Sequence, residues 1–396
     1  MMNRWVRAYT FVAVQLLNTL LVFAALNVAA AVVPLVFPGP RPTPPPAALE
    51  DPSVDRSAYT AMSPAQVQRF LEEQSGLQAA GFQYEPWVLF RNPEYHGQLL
   101  NTDARGLRRT VTSRPACPNP LRIFVFGGST TFGYGVADEY TLPSRLQAHL
   151  ERRYPSRCLQ VSNYGQGYFF SSQELLQFVN LLKDGQAPDW AVFVDGANDT
   201  YQMSAQRDVP YFSDAVRSLW QMRNRGPVSP RVDWSWLPAV QAATAIRDRF
   251  LGPPPPPRRR PDDPVPVPDS ERSGQYVAAR YRQNVRIART LCTEYRVKCR
   301  FVWQPTFFDY DRTLHPGSPY RGRAVPRFWA EAYDGIRQWR ADDVLYLGDM
   351  FRTVREKVFV DNVHYNEKWT GEIAARIADL IDLEPGAAAS RRGVSR

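Results

Sequence analysis

One serine in this chain stands where a hydroxyl could attack. The apolar run IFVF ends in Gly127-Gly128-Ser129. A serine hydroxyl is a poor nucleophile at neutral pH and needs an adjacent base. The chain holds four histidines, His96, His149, His315 and His364. Only His364 carries a carboxylate three residues earlier, Asp361 in VDNVHYN, in a loop where that side chain can turn back onto the ring. There it would fix the tautomer and stabilise the imidazolium formed when His364 takes the Ser129 proton. Negative charge developing on a substrate oxygen would need donors. The glycine turns offer backbone N–H groups, Gly165 and Gly167 in NYGQGY among them, and Asn198 in GAND offers a side-chain amide. Gly127 and Gly128 let the backbone turn sharply, so that Ser129 faces outward with its own N–H toward the substrate, and their small size leaves an acyl group room.

For these residues to meet, four stretches far apart in sequence must reach one edge of one sheet. Their flanks read that way. LRIFVFG, LQVSN, WAVFVDG, CRFVWQ and a run near DDVLYLG are strand-like. The segments LPSRLQAHLERRY, SSQELLQFVNLLK, residues 275–295 and EKWTGEIAARIADLI are amphipathic and helix-like. Strands alternating with helices predict an α/β fold with a parallel sheet covered on both faces. Ligands of such sheets gather beyond the carboxyl ends of the strands. Ser129, the glycines and Asn198 fall there, and Asp361 and His364 lie just before the last helix.

Taken in order, FVFGGST, VSNYGQGY, GAND and DNVH resemble the four blocks of the SGNH (GDSL-type) hydrolases, across roughly residues 121–383. The resemblance implies a three-layer α/β/α sandwich with a five-stranded parallel sheet, flavodoxin-like in outline. It implies Ser129 as nucleophile, His364 and Asp361 as the other triad members, and Asn198 as an oxyanion donor. Ester hydrolysis would run through an acyl-enzyme, with no metal and no cofactor. Two positions depart from the family pattern. Gly-Asp-Ser is Gly-Gly-Ser here, as in some exported relatives. Tyr168 stands where the second family glycine is common, with Gly167 one residue earlier, so the choice between Gly165 and Gly167 as donor stays open.

The N-terminus predicts where this chemistry takes place. Residues 8–33 carry no charge and would span roughly 39 Å as a helix, more than the roughly 30 Å of bilayer hydrocarbon. Arg4 and Arg7 precede the stretch, while Glu50, Asp51 and Asp55 follow it, which puts residues 1–7 in the cytoplasm and the remainder outside. The span is longer than the apolar part of a cleaved signal, although NVAAAVV has small residues at cleavage-like spacing. A single-pass inner or plasma membrane anchor is the expectation, with the lipid bilayer as partner through residues 8–33 and the catalytic part periplasmic or extracellular.

Four cysteines fit that compartment. Cys117 and Cys158 precede two strands that would be neighbours, and Cys292 and Cys299 flank a helix-to-strand turn, so two disulfides are expected. Neither pair has metal-site spacing. The formal charge of +9 is mixed with acidic residues along the chain, which argues against nucleic acid as a partner.

The expected layout continues with a Pro-rich linker at 34–60 and a lead-in segment at 61–116, whose first helix would be capped by Ser63 ahead of Pro64. The hydrolase domain would cover 117–385, with an insertion at 204–274 and a flexible tail at 386–396. Within the insertion, residues 213–221 read as helical, Trp234 and Trp236 as packing or a lid, and 252–268 as an extended Pro-rich loop. NTDARGLRR in the lead-in is open between packing and positioning a substrate. Asp309 and Asp311 read as a solvated loop in preference to cation ligands. A phosphate-loop reading of GGST lacks the extra glycines or lysine such loops carry.

The functional expectation is a serine esterase that removes small acyl groups, acetyl for example, from an ester substrate such as a cell-envelope glycan, with activity rising through roughly pH 6–7 as the base becomes neutral. An acyltransferase on the same scaffold and a non-catalytic binding module are the alternatives. The oligomeric state is not written in the sequence.

Overall fold

The computed structural model describes residues 2–36, 54–205, 237–251, 268–314 and 321–383. The chain divides into two compact units, Met1–Ala47 with Arg223–Val265, and Ala48–Met222 with Pro266–Arg396. In the first unit, helix α1 (Met2–Val36) includes a segment, Trp5–Ala29, that is long and apolar enough to cross a membrane. The helix runs three residues into the expected linker. Asn27, a polar residue that weakens the apolar span, has a local use. Its Nδ2 donates to the Phe23 carbonyl (2.9 Å), and its Oδ1 accepts the Ala239 N–H (3.3 Å) at the start of a helix that runs Pro238–Leu251.

The first α-helix of the second unit is α2 (Pro64–Ala80), capped as expected by Ser63 with Pro64 in the first turn. Four short strands follow, β1 (Gln83–Glu85), β2 (Leu89–Arg91), β3 (Tyr95–His96) and β4 (Asn101–Thr102), paired antiparallel in twos. The main sheet comprises β5 (Leu121–Gly127), β6 (Leu159–Gly165), β7 (Trp190–Asp195), β8 (Lys298–Trp303) and β9 (Val344–Tyr346). It is five-stranded, ordered β6-β5-β7-β8-β9, and every pairing within it is parallel.

The helices of this unit are α3 (Ser129–Phe132), α4 (Leu142–Arg153), α5 (Ser171–Lys183), α6 (Ala197–Met203), then, after the Pro238–Leu251 helix of the other unit (α7), α8 (Gly274–Glu294), α9 (Arg327–Arg337) and α10 (Glu367–Ala378). Period-two alternation sorts the sheet's side chains into two layers. Phe124, Phe126, Phe193, Phe301 and Trp303 share one core with Phe178, Tyr281, Val285 and Tyr333 from α5, α8 and α9. Ile123, Val125, Val161, Val192, Val194 and Val302 share the other with Leu146, Leu150, Ile373 and Ile377 from α4 and α10. Both faces are covered, which is why these strands read as continuous apolar runs. Across the aromatic face, Phe126 stacks on Phe193 (4.8 Å between centroids) and Phe193 on Phe301 (5.3 Å).

Helix α9 was not foreseen from sequence. It is short and begins straight after Pro326, and its apolar positions Phe328, Trp329, Ala332, Tyr333 and Ile336 acquire a partner only where α8 and the sheet meet. The two cysteine pairs form as expected, Cys117–Cys158 with Cα atoms 6.1 Å apart and Cys292–Cys299 with 6.3 Å. The expected helix at 213–221, Trp234 and Trp236, most of the 252–268 loop, His315 and the 386–396 tail lie outside the described residues.

Candidate active site

Three strand ends converge. Gly127 closes β5 and pairs with Gly165 at the end of β6 and with Val194 near the end of β7. Because β6 and β7 lie on opposite sides of β5, the chain reverses its direction of travel across the sheet at β5, the place where open α/β sheets present a crevice. Ser129 is the first residue of α3, and the Gly128 carbonyl accepts from the N–H groups of Thr131 (3.1 Å) and Phe132 (3.0 Å). Gly128 has φ −81°, a value open to any residue, so its glycine is a matter of space. A Cβ there would sit 2.4 Å from Asn198 Nδ2 and 2.9 Å from the Phe169 carbonyl oxygen. The room expected for an acyl group is therefore occupied by the Asn198 amide, which corrects the sequence reading of that glycine.

His364 reaches Ser129 from the loop before α10. The Ser129 hydroxyl and His364 Nε2 are 2.8 Å apart, and His364 Nδ1 is 2.6 Å from Asp361 Oδ2. The carboxylate can only accept, so Nδ1 carries the proton and the Nε2 lone pair faces the hydroxyl. Asp361 Oδ1 accepts the N–H groups of Val363 and His364, each at 2.7 Å. Burial alone would raise the Asp361 carboxyl; the charge and hydrogen bond of His364, together with these two backbone donors, bring it below its ordinary value. A ring held this way between hydroxyl and carboxylate can take the hydroxyl proton.

The donor groups are arranged around the same turn. Gly196 adopts φ +137°, which favours glycine, and lets the chain pass from β7 directly into α6 with Asn198 in its first turn. Asn198 Nδ2 donates one hydrogen to the Phe169 carbonyl at 2.7 Å, and the nitrogen lies beside Gly128 with a second hydrogen to give. The Gly165 N–H is given to Asn163 Oδ1 at 3.0 Å, and a Cβ on Gly165 would meet the Phe132 nitrogen at 2.3 Å, so this residue is packed beneath α3. The N–H groups of Gly167 and Ser129 have no partner among the described residues. Tyr168 takes φ +66° and stays partly exposed, its ring edge-on to Phe82 at 5.9 Å.

The family model for GDSL-like lipase/acylhydrolase matches residues 123–377. This chain belongs to that family. No curated protein matches the sequence. Among solved structures, an acetyl xylan esterase aligns at 12% identity, covering 66% of this chain and 100% of its own, with a TM-score of 0.37. A member of the lipolytic G-D-S-L family from Veillonella parvula aligns at 13% identity, covering 66% and 97%, with a TM-score of 0.36. A catalytic mutant of an acetylxylan esterase from Geobacillus stearothermophilus aligns at 14% identity, covering 67% and 95%, with a TM-score of 0.34.

Around the residues that the family blocks point to, a second set of side chains holds the turn. Asn163 Nδ2 donates to the carbonyls of Thr131 (3.1 Å) and Phe132 (3.2 Å), and Thr130 Oγ1 donates to Gln304 Oε1 at 2.7 Å. Arg108, fully buried, pairs with Asp138 at 2.5 Å and donates to the carbonyls of Gly133 and Val136, tying down the loop after α3. NTDARGLRR thus has a packing role at this loop. Asp199 accepts the N–H groups of Gly196 and Ser171, each at 3.1 Å, and so joins the Asn198 turn to the start of α5.

Behind Asp199 lie Glu174 and Asp195, both buried. Burial, then neighbouring carboxylates, pushes the Glu174 and Asp195 carboxyls well above their ordinary range. Sequence reasoning missed this cluster, since Glu174 reads as a polar position in an amphipathic helix. Asp309 pairs with Arg352 (3.2 Å), which also pairs with Asp349 (3.1 Å), and Asp311 accepts from Thr313.

Proposed function

We propose that this GDSL-family hydrolase is a serine esterase in which Ser129 attacks an ester carbonyl and is transiently acylated. The observation that carries the reading is the unbroken pair of hydrogen bonds from Ser129 to His364 (2.8 Å) and from His364 to Asp361 (2.6 Å). As Ser129 Oγ bonds to the carbonyl carbon, its proton passes to His364 Nε2, and Asp361 holds the resulting imidazolium. The oxyanion is met by the N–H groups of Ser129 and Gly167 and by the second hydrogen of Asn198 Nδ2; Gly165 acts only in support, its own N–H being spent on Asn163. The imidazolium then gives its proton to the departing alcohol. In the second half, water loses a proton to His364 Nε2, attacks the acyl carbon, and releases the acid and free Ser129.

The proposed setting is the outer side of a membrane, with α1 as anchor and the two disulfides suited to an oxidising compartment. The proposed substrate is a small acyl ester, acetyl for example, on an envelope glycan. The test is hydrolysis of p-nitrophenyl acetate by the full-length protein in detergent, alongside Ser129→Ala. Turnover by the wild type and none by the variant supports the reading. Equal inertness of both proteins, with Ser129 unreactive toward a serine-directed phosphonate, refutes it. Acyl transfer to an added glycan in preference to water would replace hydrolase by transferase.

A further inference from the structure

Asp361 and His364, the acid and base of the proposed triad, ride on a loop outside the main sheet. Within the loop, the Val360 N–H donates to the His364 carbonyl and the Asn366 N–H to the Val358 carbonyl, each at 2.8 Å. Phe359 and Tyr365 bridge between them, which makes a small hairpin just ahead of α10. Such a hairpin is marginal alone and must be held by its surroundings.

Residues 55–60 supply much of that hold. The Asp55 N–H donates to the Val360 carbonyl at 2.7 Å, and Val360 in turn is bonded to His364. Lys357 Nζ donates to Asp55 Oδ2 and Ser57 Oγ, each at 2.5 Å, at the start of the hairpin. Asn366 Nδ2 donates to the Ala58 carbonyl (2.9 Å), and the Thr60 N–H donates to Glu367 Oε2 (3.1 Å) at its end. Asp55 Oδ1 also accepts the Ser57 N–H and shapes the single turn at Arg56–Ala58 that carries these groups. The Asp55 and Lys357 side chains are 15% and 34% exposed, so the ion pair is partly withdrawn from solvent and worth more than a surface pair. On its other side the hairpin packs against the loop of the nucleophile, where a Cβ on Gly135 would meet Val360 Cγ2 at 2.5 Å and His364 Cβ at 3.3 Å.

We propose that residues 55–60 form a latch over the acid–base hairpin, with Asp55 and Lys357 as the positioning pair that holds His364 in hydrogen-bond reach of Ser129. The inference rests on the triad reading above. The bond from Asp55 N–H to Val360 and the bond from Val360 to His364 are consecutive, so a shift of the latch moves the base. The latch lies outside residues 123–377, the part matched by the family model. A domain cut to those bounds therefore keeps every triad residue and lacks the element that sets the base.

The experiment uses the full-length protein in detergent and three variants, Asp55→Asn, Lys357→Met and the conservative Lys357→Arg. Two rates are read, fluorophosphonate labelling of Ser129 and p-nitrophenyl acetate turnover, with the thermal midpoint measured for each protein. Asp55→Asn and Lys357→Met are expected to lower labelling and kcat by about tenfold to a hundredfold, the loss that misplacement of a catalytic group by about 1 Å produces. KM stays within about twofold, and Lys357→Arg recovers most of the rate. Wild-type labelling in folded Asp55→Asn and Lys357→Met overturns the latch. So does a loss that vanishes on cooling the assay below each variant's unfolding range, since that marks stability alone. If the wild type itself is not labelled at Ser129, the triad reading fails first and the latch falls with it.

Discussion

Gly128→Ala tests the site through a single methyl group. The backbone at 128, with φ −81°, accepts alanine without strain. The new Cβ would lie 2.4 Å from Asn198 Nδ2, where ordinary contacts begin at 3.4 Å, so the amide has to retreat by about 1 Å. The Phe169 carbonyl oxygen, 2.9 Å from the same point, resists a compensating backbone shift. Asn198 then leaves the position of the oxyanion, and losing one such donor costs about 100- to 1,000-fold in kcat, or about 2.7–4 kcal/mol of transition-state stabilisation. KM changes little, because the donor acts on charge that develops only in the transition state.

The assay is p-nitrophenyl acetate turnover by Gly128→Ala, Asn198→Ala and the double variant. Since the methyl acts chiefly through the amide, the double variant loses little more than Asn198→Ala alone; with the amide gone, only the 2.9 Å approach to the Phe169 carbonyl oxygen is left to relieve. Multiplicative losses in the double variant, or wild-type kcat in a folded Gly128→Ala, would refute the reasoning.

Asp361→Asn removes the acceptor that fixes the His364 tautomer, and kcat falls by about 10,000-fold while the fold is kept; turnover and circular dichroism check both parts. Because the folded Asp361 carboxyl lies below its ordinary value, its stabilisation is complete above the unfolded range and lost as pH falls through the folded value, so the midpoint difference between wild type and this variant shrinks on acidification. Glu174 shows the opposite sign. Its raised carboxyl stabilises the fold at low pH, and that contribution declines as pH rises above the ordinary carboxyl range toward the folded value, so Glu174→Gln flattens the loss of thermal midpoint over that rise. Reduction of Cys117–Cys158, at a sequence separation of 41, costs about 4 kcal/mol on chain entropy, against about 2 kcal/mol for Cys292–Cys299 at a separation of 7. Urea unfolding of Cys117→Ser/Cys158→Ser and Cys292→Ser/Cys299→Ser variants reads the difference.

Much of this is legible in the sequence because it is local. Apolar runs such as LRIFVFG and WAVFVDG, alternating with amphipathic segments, read as strands of a parallel sheet covered on both faces, and a strand ending in two glycines and a serine announces its own turn. Ser129, His364 and Asp361 could be named because four histidines leave few ways to pair a base with a neighbouring carboxylate. The resemblance to the family then supplied the order of the blocks.

Tertiary structure decided whatever depends on two distant stretches filling one space. Gly165 and Gly167 look alike in NYGQGY, and the difference between them is that Asn163 turns back to take one N–H while the other has no partner among the described residues. Gly128 reads as a flexible turn, yet its small size serves an amide that arrives from another strand. Glu174, Asp195 and Asp199 become one buried group only when α5 is laid over the end of β7. The segment at 55–60 reads as the end of a linker, and it holds the hairpin of His364 across some three hundred residues of chain because Asp55 meets Lys357 there (a separation of 302). Propensity and periodicity act over a few residues; close packing acts over contact distance, wherever in the chain the contact comes from.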